Sequence, residues 1–216
     1  MDLIQDFFRT VYNVPELIRM VGLYGLVLIV FAETGLMVGF FLPGDSLLVI
    51  AGVFAYRGEL DLPRLILFAA AAAVAGDATG YWIGYRAGKA LFNRPDSLLF
   101  RREHLIKTHE FYERHGGKTI VLARFMPILR TFAPVVAGAA QMTYRQFAVY
   151  NIAGGIGWVL SMTFTGYLLA RSVPEEWLAK HIELIVFVVI FLSVLPGIVS
   201  FLRAKLQARA SASAAS

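Results

Sequence analysis

The chain has 216 residues, of which 58% are hydrophobic and 16% charged, with no cysteine and a formal net charge of +5. Soluble domains carry about 25% charged residues, so an ordinary globular domain is a poor fit, and the lack of cysteine excludes disulfides, thiolate zinc sites and cysteine nucleophiles. The basic excess does not argue for nucleic acid as a partner, because the lysines and arginines lie between apolar runs, as membrane topology signals do.

The opening residues, Met1-Asp2-Leu3-Ile4-Gln5-Asp6, are acidic where a secretory signal is positive, so no cleavage is expected. Over residues 1–20 apolar groups alternate with Asp2, Asp6, Arg9, Glu16 and Arg19, the pattern of an amphipathic helix lying in the membrane interface. A single membrane domain is expected over 21–203. It begins with an apolar stretch, 21–56, interrupted by Glu33 and by Phe41-Leu42-Pro43-Gly44-Asp45. The flanking pieces are roughly 10–14 residues each, too short for a bilayer core that takes about 20. A re-entrant hairpin of two half-helices is predicted, its broken backbone sheltered by protein or a watery cavity.

Residues 65–85 are long enough to span, and Ala72, Gly76, Gly80, Gly84 and Gly88 put small residues on one face, where another helix can approach closely. A polar, basic segment follows over 86–118. The next apolar stretch, 119–140, is cut by Arg124, Pro127, Arg130 and Pro134 and reads as a second hairpin. Spanning helices are predicted over 147–170 and 184–202, and a disordered basic and Ala/Ser-rich tail over 204–216. The basic residues of 86–118, Arg145, Arg203, Lys205 and Arg209 place those segments, and the C-terminus, in the cytoplasm. Each half reads as hairpin, loop with an arginine (Arg64, Arg145), then a helix with a glycine twelve residues on (Gly76, Gly157). The fold class is therefore an all-α integral membrane protein, with two opposed re-entrant hairpins, about three transmembrane helices and the inverted repeat of a transporter.

Four charges fall inside the hairpins: Glu33 and Asp45 in the first, Arg124 and Arg130 in the second. Four unpaired charges at membrane depth would cost on the order of 10 kcal/mol, so mutual neutralisation between the hairpins is expected. Arginine keeps its proton and matches phosphate oxygens in pairs, which makes Arg124 and Arg130 candidates for binding an anionic substrate. Buried carboxyls can take up protons, because burial disfavours their ionised form; Glu33 and Asp45 are the candidates for proton coupling. Asp77, placed to pair with Arg86, and Asn151 and Trp158, with packing the favoured role, are secondary candidates. Tyr81, Trp82 and Tyr85 suit an interface belt. His104, His109 and His115 do not stack on one helix face, so no metal and no cofactor is expected. His109-Glu110 lacks the second histidine of a zinc protease, and there is neither nucleophile elbow nor Walker loop, so the chain does not read as an enzyme.

Glu33-Thr34-Gly35, Phe41 to Leu48 (FLPGDSLL), Gly76-Asp77, His115-Gly116-Gly117-Lys118, Arg124 to Pro134 (RFMPILRTFAP) with Ala137-Gly138, and Tyr150-Asn151 with Trp158 together resemble the DedA family over nearly the whole chain. That resemblance implies two opposed re-entrant hairpins in the bacterial inner membrane. It further implies transport of a lipid driven by the proton-motive force, with undecaprenyl phosphate recycling as the leading activity and phosphatidylethanolamine in some relatives. The family's essential acids fall on Glu33 and Asp45 and its essential arginines on Arg124 and Arg130. The implied partners are membrane lipids and protons, with a homo-oligomer open. Two alternatives are a proton-coupled exporter of small ions or cationic compounds, in which the arginines are structural, and a membrane scaffold that transports nothing.

Overall fold

A computed structural model of the chain describes residues 14–36, 44–92, 118–124, 127–174 and a few positions between 176 and 188. Among them no strand occurs, and six helices follow in order: α1 (Val14–Gly35), α2 (Gly44–Tyr56), α3 (Leu62–Phe92), α4 (Lys118–Ala123), α5 (Pro127–Ala139) and α6 (Tyr144–Ser172). The helix predicted over 184–202, the 204–216 tail, the basic residues 93–117 with their three histidines, and residues 1–13 lie outside the described residues or nearly so.

Three helices are long and apolar enough to cross a bilayer: Val14–Gly35, Leu62–Gly88 and Tyr144–Ser172. The last two contain the spans predicted over 65–85 and 147–170. The first starts earlier than expected: positions 14–20, expected to close the interfacial helix, join α1 across a kink. The reason is packing: Val14, Leu17 and Ile18 are buried. Arg19 pairs with Glu59 at 3.9 Å and lies over the Phe54 ring at 5.5 Å, which ties the segment to the end of α2. A break separates this docked turn from the rest of α1 at Gly22, whose φ of +61° and ψ of −161° suit a residue without a Cβ. The remaining arm, 23–35, has the half-helix length expected of the first hairpin.

Short α2 is the centre of the structure. Every residue from Gly44 to Phe54 is buried, the condition of a helix that is apolar all round and wrapped by protein. At 13 residues and 1.5 Å per residue it is about 20 Å long, less than a hydrocarbon core of about 30 Å. Its walls are α1, through Leu26 and Val30, and α6, through Trp158 and Val159, with Leu65, Ala69 and Ala73 of α3 in the same core. Asp61 starts α3 by accepting the Arg64 backbone N–H at 2.8 Å, an N-cap on the third helical residue.

The small-residue stripe on α3 serves two neighbours. A Cβ at Gly76 would meet Thr34 and the Phe31 carbonyl of α1, whereas at Gly84 and Gly88 it would meet the backbone of Val135 and Ala139 in α5. Backbone-to-backbone approach of this kind is what small residues at helix interfaces permit. Gly157 does not match Gly76 in this respect, since nothing lies within 4 Å of a Cβ built there. α1 and α5 thus pack on α3, while α2 and α4 pack on α6.

Candidate functional site

The end of α1 and the start of α2 bring two carboxyls together. Glu33 lies two residues from the α1 terminus and Asp45 in the first turn of α2, where the helix dipole favours negative charge. Gly44 makes this possible, because a side chain there would occupy the space of the Glu33 carboxylate. Arg130 of α5 reaches both acids: Nη2 donates to Glu33 Oε1 and Nη1 to Asp45 Oδ1, each at 2.5 Å. Its guanidinium lies over the Trp158 ring, 4.9 Å from the centroid, within cation–π range. The Trp158 indole Nε1–H in turn donates to Asp45 Oδ1 at 2.8 Å.

The second arginine has different company. Arg124, in the turn between α4 and α5, donates through Nη2 to Asp77 Oδ2 of α3 and to the Asn151 side-chain oxygen of α6. The same nitrogen lies 3.3 Å from the Asn151 backbone carbonyl. Asn151 is oriented by its amide, which donates to the Val74 carbonyl at 3.0 Å. Gly154 and Gly155 form the slot for this side chain. A Cβ at 154 would come within 3.0 Å of Arg124 Cδ, and one at 155 within 3.3 Å of Nη2.

Glu33, Asp77, Arg124 and Asn151 are each at most 2% exposed, and Arg130 is 5% exposed. Among the described residues, three carboxyls therefore face two guanidinium groups inside the protein. Removing one partner of a buried pair costs about 3–5 kcal/mol, because the other charge is left uncompensated.

All four residues expected to neutralise one another are buried in one place, but the pairing is not two-by-two. Arg130 takes both Glu33 and Asp45, and Arg124 pairs with Asp77. The expected Asp77–Arg86 contact is not made. Nine residues along a helix is a rotation of about 180°, so Arg86 lies on the opposite, exposed face of α3. Trp158 and Asn151 belong to the site rather than to packing alone. Tyr81 is no belt residue: it is buried, donates its hydroxyl to the Met142 carbonyl and stacks on Phe147 at 4.6 Å. Trp82 beside it is exposed, as a belt requires. Gly44, Gly154 and Gly155 were missed as site-forming residues. The signal available was spacing, since Asn151, Gly154, Gly155 and Trp158 stand at i, i+3, i+4 and i+7 on one helix face.

The VTT domain family matches residues 42–168 of the chain. Protein DedA of Escherichia coli K12 is 45% identical over 224 aligned residues, covering 100% of both chains. The uncharacterized membrane protein Rv0364 of Mycobacterium tuberculosis H37Rv is 41% identical, over 83% of this chain and 78% of its own length. Inner membrane protein YqjA of Escherichia coli K12 is 35% identical, over 78% and 75%. No solved structure matches.

Proposed function

Because this chain belongs to the DedA family of VTT-domain membrane proteins, we propose that it is an inner-membrane lipid transporter, driven by the proton-motive force, that carries an anionic lipid head. Undecaprenyl phosphate is the substrate the family resemblance favours, and its compact phosphate suits two arginines better than a bulky head does. The observation that carries this reading is the buried meeting of Arg130 with Glu33 and Asp45. A permanent cation and two groups able to exchange protons share one enclosure, in a protein whose helices expose large apolar side chains such as Tyr24, Leu28, Val149 and Ile156. Protons entering Glu33 and Asp45 cancel their charge and free Arg130 for phosphate. Loss of those protons restores the ion pairs and expels the lipid. In this scheme 23–56 and 118–139 are opposed re-entrant hairpins, and the C-terminus is cytoplasmic. The crossed packing of the hairpin arms on α3 and α6 supports the inverted arrangement.

Proteoliposomes loaded with a polyprenyl phosphate test the proposal under an imposed proton gradient. The expected result is translocation by the wild type and none by Arg130→Ala or Glu33→Ala, with both variants inserted. Translocation at the wild-type rate by both variants overturns the charge-coupled mechanism. Proton flux without lipid movement turns the assignment to an exporter of soluble ions.

A further inference from the structure

The two arginines are unequally occupied. Arg130 spends both terminal nitrogens on carboxylates and its face on an indole, and leaves one buried nitrogen, Nε, without a partner. Arg124 offers a single nitrogen, Nη2, to Asp77 and Asn151, and its Nε and Nη1 have no hydrogen-bond partner among the described residues although they are fully buried. A guanidinium carries five N–H donors, so three of those on Arg124 are unused inside the protein. Unsatisfied buried donors are costly. Arg124 also stands in a turn, not within a helix, and has one carboxylate to leave instead of two.

We propose that Arg124 holds the lipid phosphate together with Arg130, and that Asp77, which shares Arg124 Nη2 with the Asn151 side-chain oxygen, is the resident ligand which the phosphate displaces and which later returns to drive release. This rests on the lipid-phosphate reading above. A phosphate monoester carries about −1.5 to −2 charges near neutral pH against −1 for a carboxylate, so it can outcompete Asp77 and use the idle donors as well. Asp77 is then a positioning residue that sets affinity by competition. A merely structural ion pair predicts the opposite sign, since its loss would loosen Arg124 and weaken binding.

The test is equilibrium binding of a polyprenyl phosphate, and of the matching uncharged polyprenol, to the full chain in detergent. Asp77→Asn removes the competing charge and is expected to tighten phosphate binding about tenfold, with slower release. Asn151→Asp adds a second competing carboxylate and is expected to weaken it about tenfold, so the sign is readable even where the first variant fails to fold. Competition by inorganic phosphate places recognition in the head; its failure adds a requirement for the polyprenyl tail, and either result keeps the site. Wild type without preference for phosphate over alcohol overturns this inference and the functional reading together. Preference in the wild type with unchanged or weaker binding in Asp77→Asn overturns this inference alone.

Discussion

At the scale of single residues, Trp158 is the contact through which the long helix α6 reaches the ion pair between Arg130 and Asp45. It touches both partners, donating to Asp45 and presenting its ring to Arg130. Trp158→Phe keeps a ring under the guanidinium but loses the donor to a charged acceptor. The expected cost is about 1.5–3 kcal/mol, on the order of 5 °C in melting temperature for a chain of this length. Trp158→Leu loses the ring as well and should melt lower still. Thermal melting in detergent gives the order, and equal melting of all three proteins would show that the indole does not hold the pair. Glu33, Asp45, Arg124 and Arg130 were legible in the amino-acid sequence, because a charge inside an apolar run is too costly to be accidental. The partner of each was not. Asp77 meets a residue 47 positions away, and only the packing of α3 against α5 sets that encounter.

At the scale of elements, the interfaces between α3 and α5 depend on glycines whose places are unlike one another. A Cβ at Gly84 would run into the Val135 backbone, and one at Gly138 into the Tyr81 carbonyl, so neither neighbour can turn aside as a side-chain tip would. Gly84→Ala is expected to destabilise by about 1–3 kcal/mol through overpacking. Gly157→Ala enters open space in a helix interior, where alanine is favoured over glycine by up to about 1 kcal/mol, so it should be neutral or stabilising. Melting of the two variants in parallel tests the assignment, and a comparable loss from both would dissociate the cost from the α3–α5 contact. Helix type, the breaks and the close-packing stripe were readable, since they follow from apolar length, from Pro and Gly, and from fourfold spacing. The start of α1 was not. Leu17 and Ile18 look equally suited to a lipid surface and to a protein core, and the docking of Arg19 on Glu59 and Phe54 decides between them.

At the scale of the whole molecule, the charged cluster joins parts that helix packing alone pairs off. Asp77 of α3 bonds Arg124, which follows α4, and Trp158 of α6 bonds Asp45 of α2. Arg130 completes the connection by binding α5 to both α1 and α2. If Coulomb attraction holds α5 to α1 and α2, its sign should be exchangeable. Arg130→Glu sets a carboxyl against Glu33 and Asp45 and should lose about 3–5 kcal/mol or more, seen as poor accumulation in the membrane and a lowered melting temperature. The double change Glu33→Arg with Arg130→Glu restores opposite charges between α1 and α5 and should recover at least half of that loss. Under the proposed function, lipid movement should stay absent in the double variant, because the carboxyl and the guanidinium have changed helices. A double variant as unstable as Arg130→Glu would mean that the detailed geometry around Trp158 and Asp45, rather than the attraction itself, holds α5 to α1 and α2.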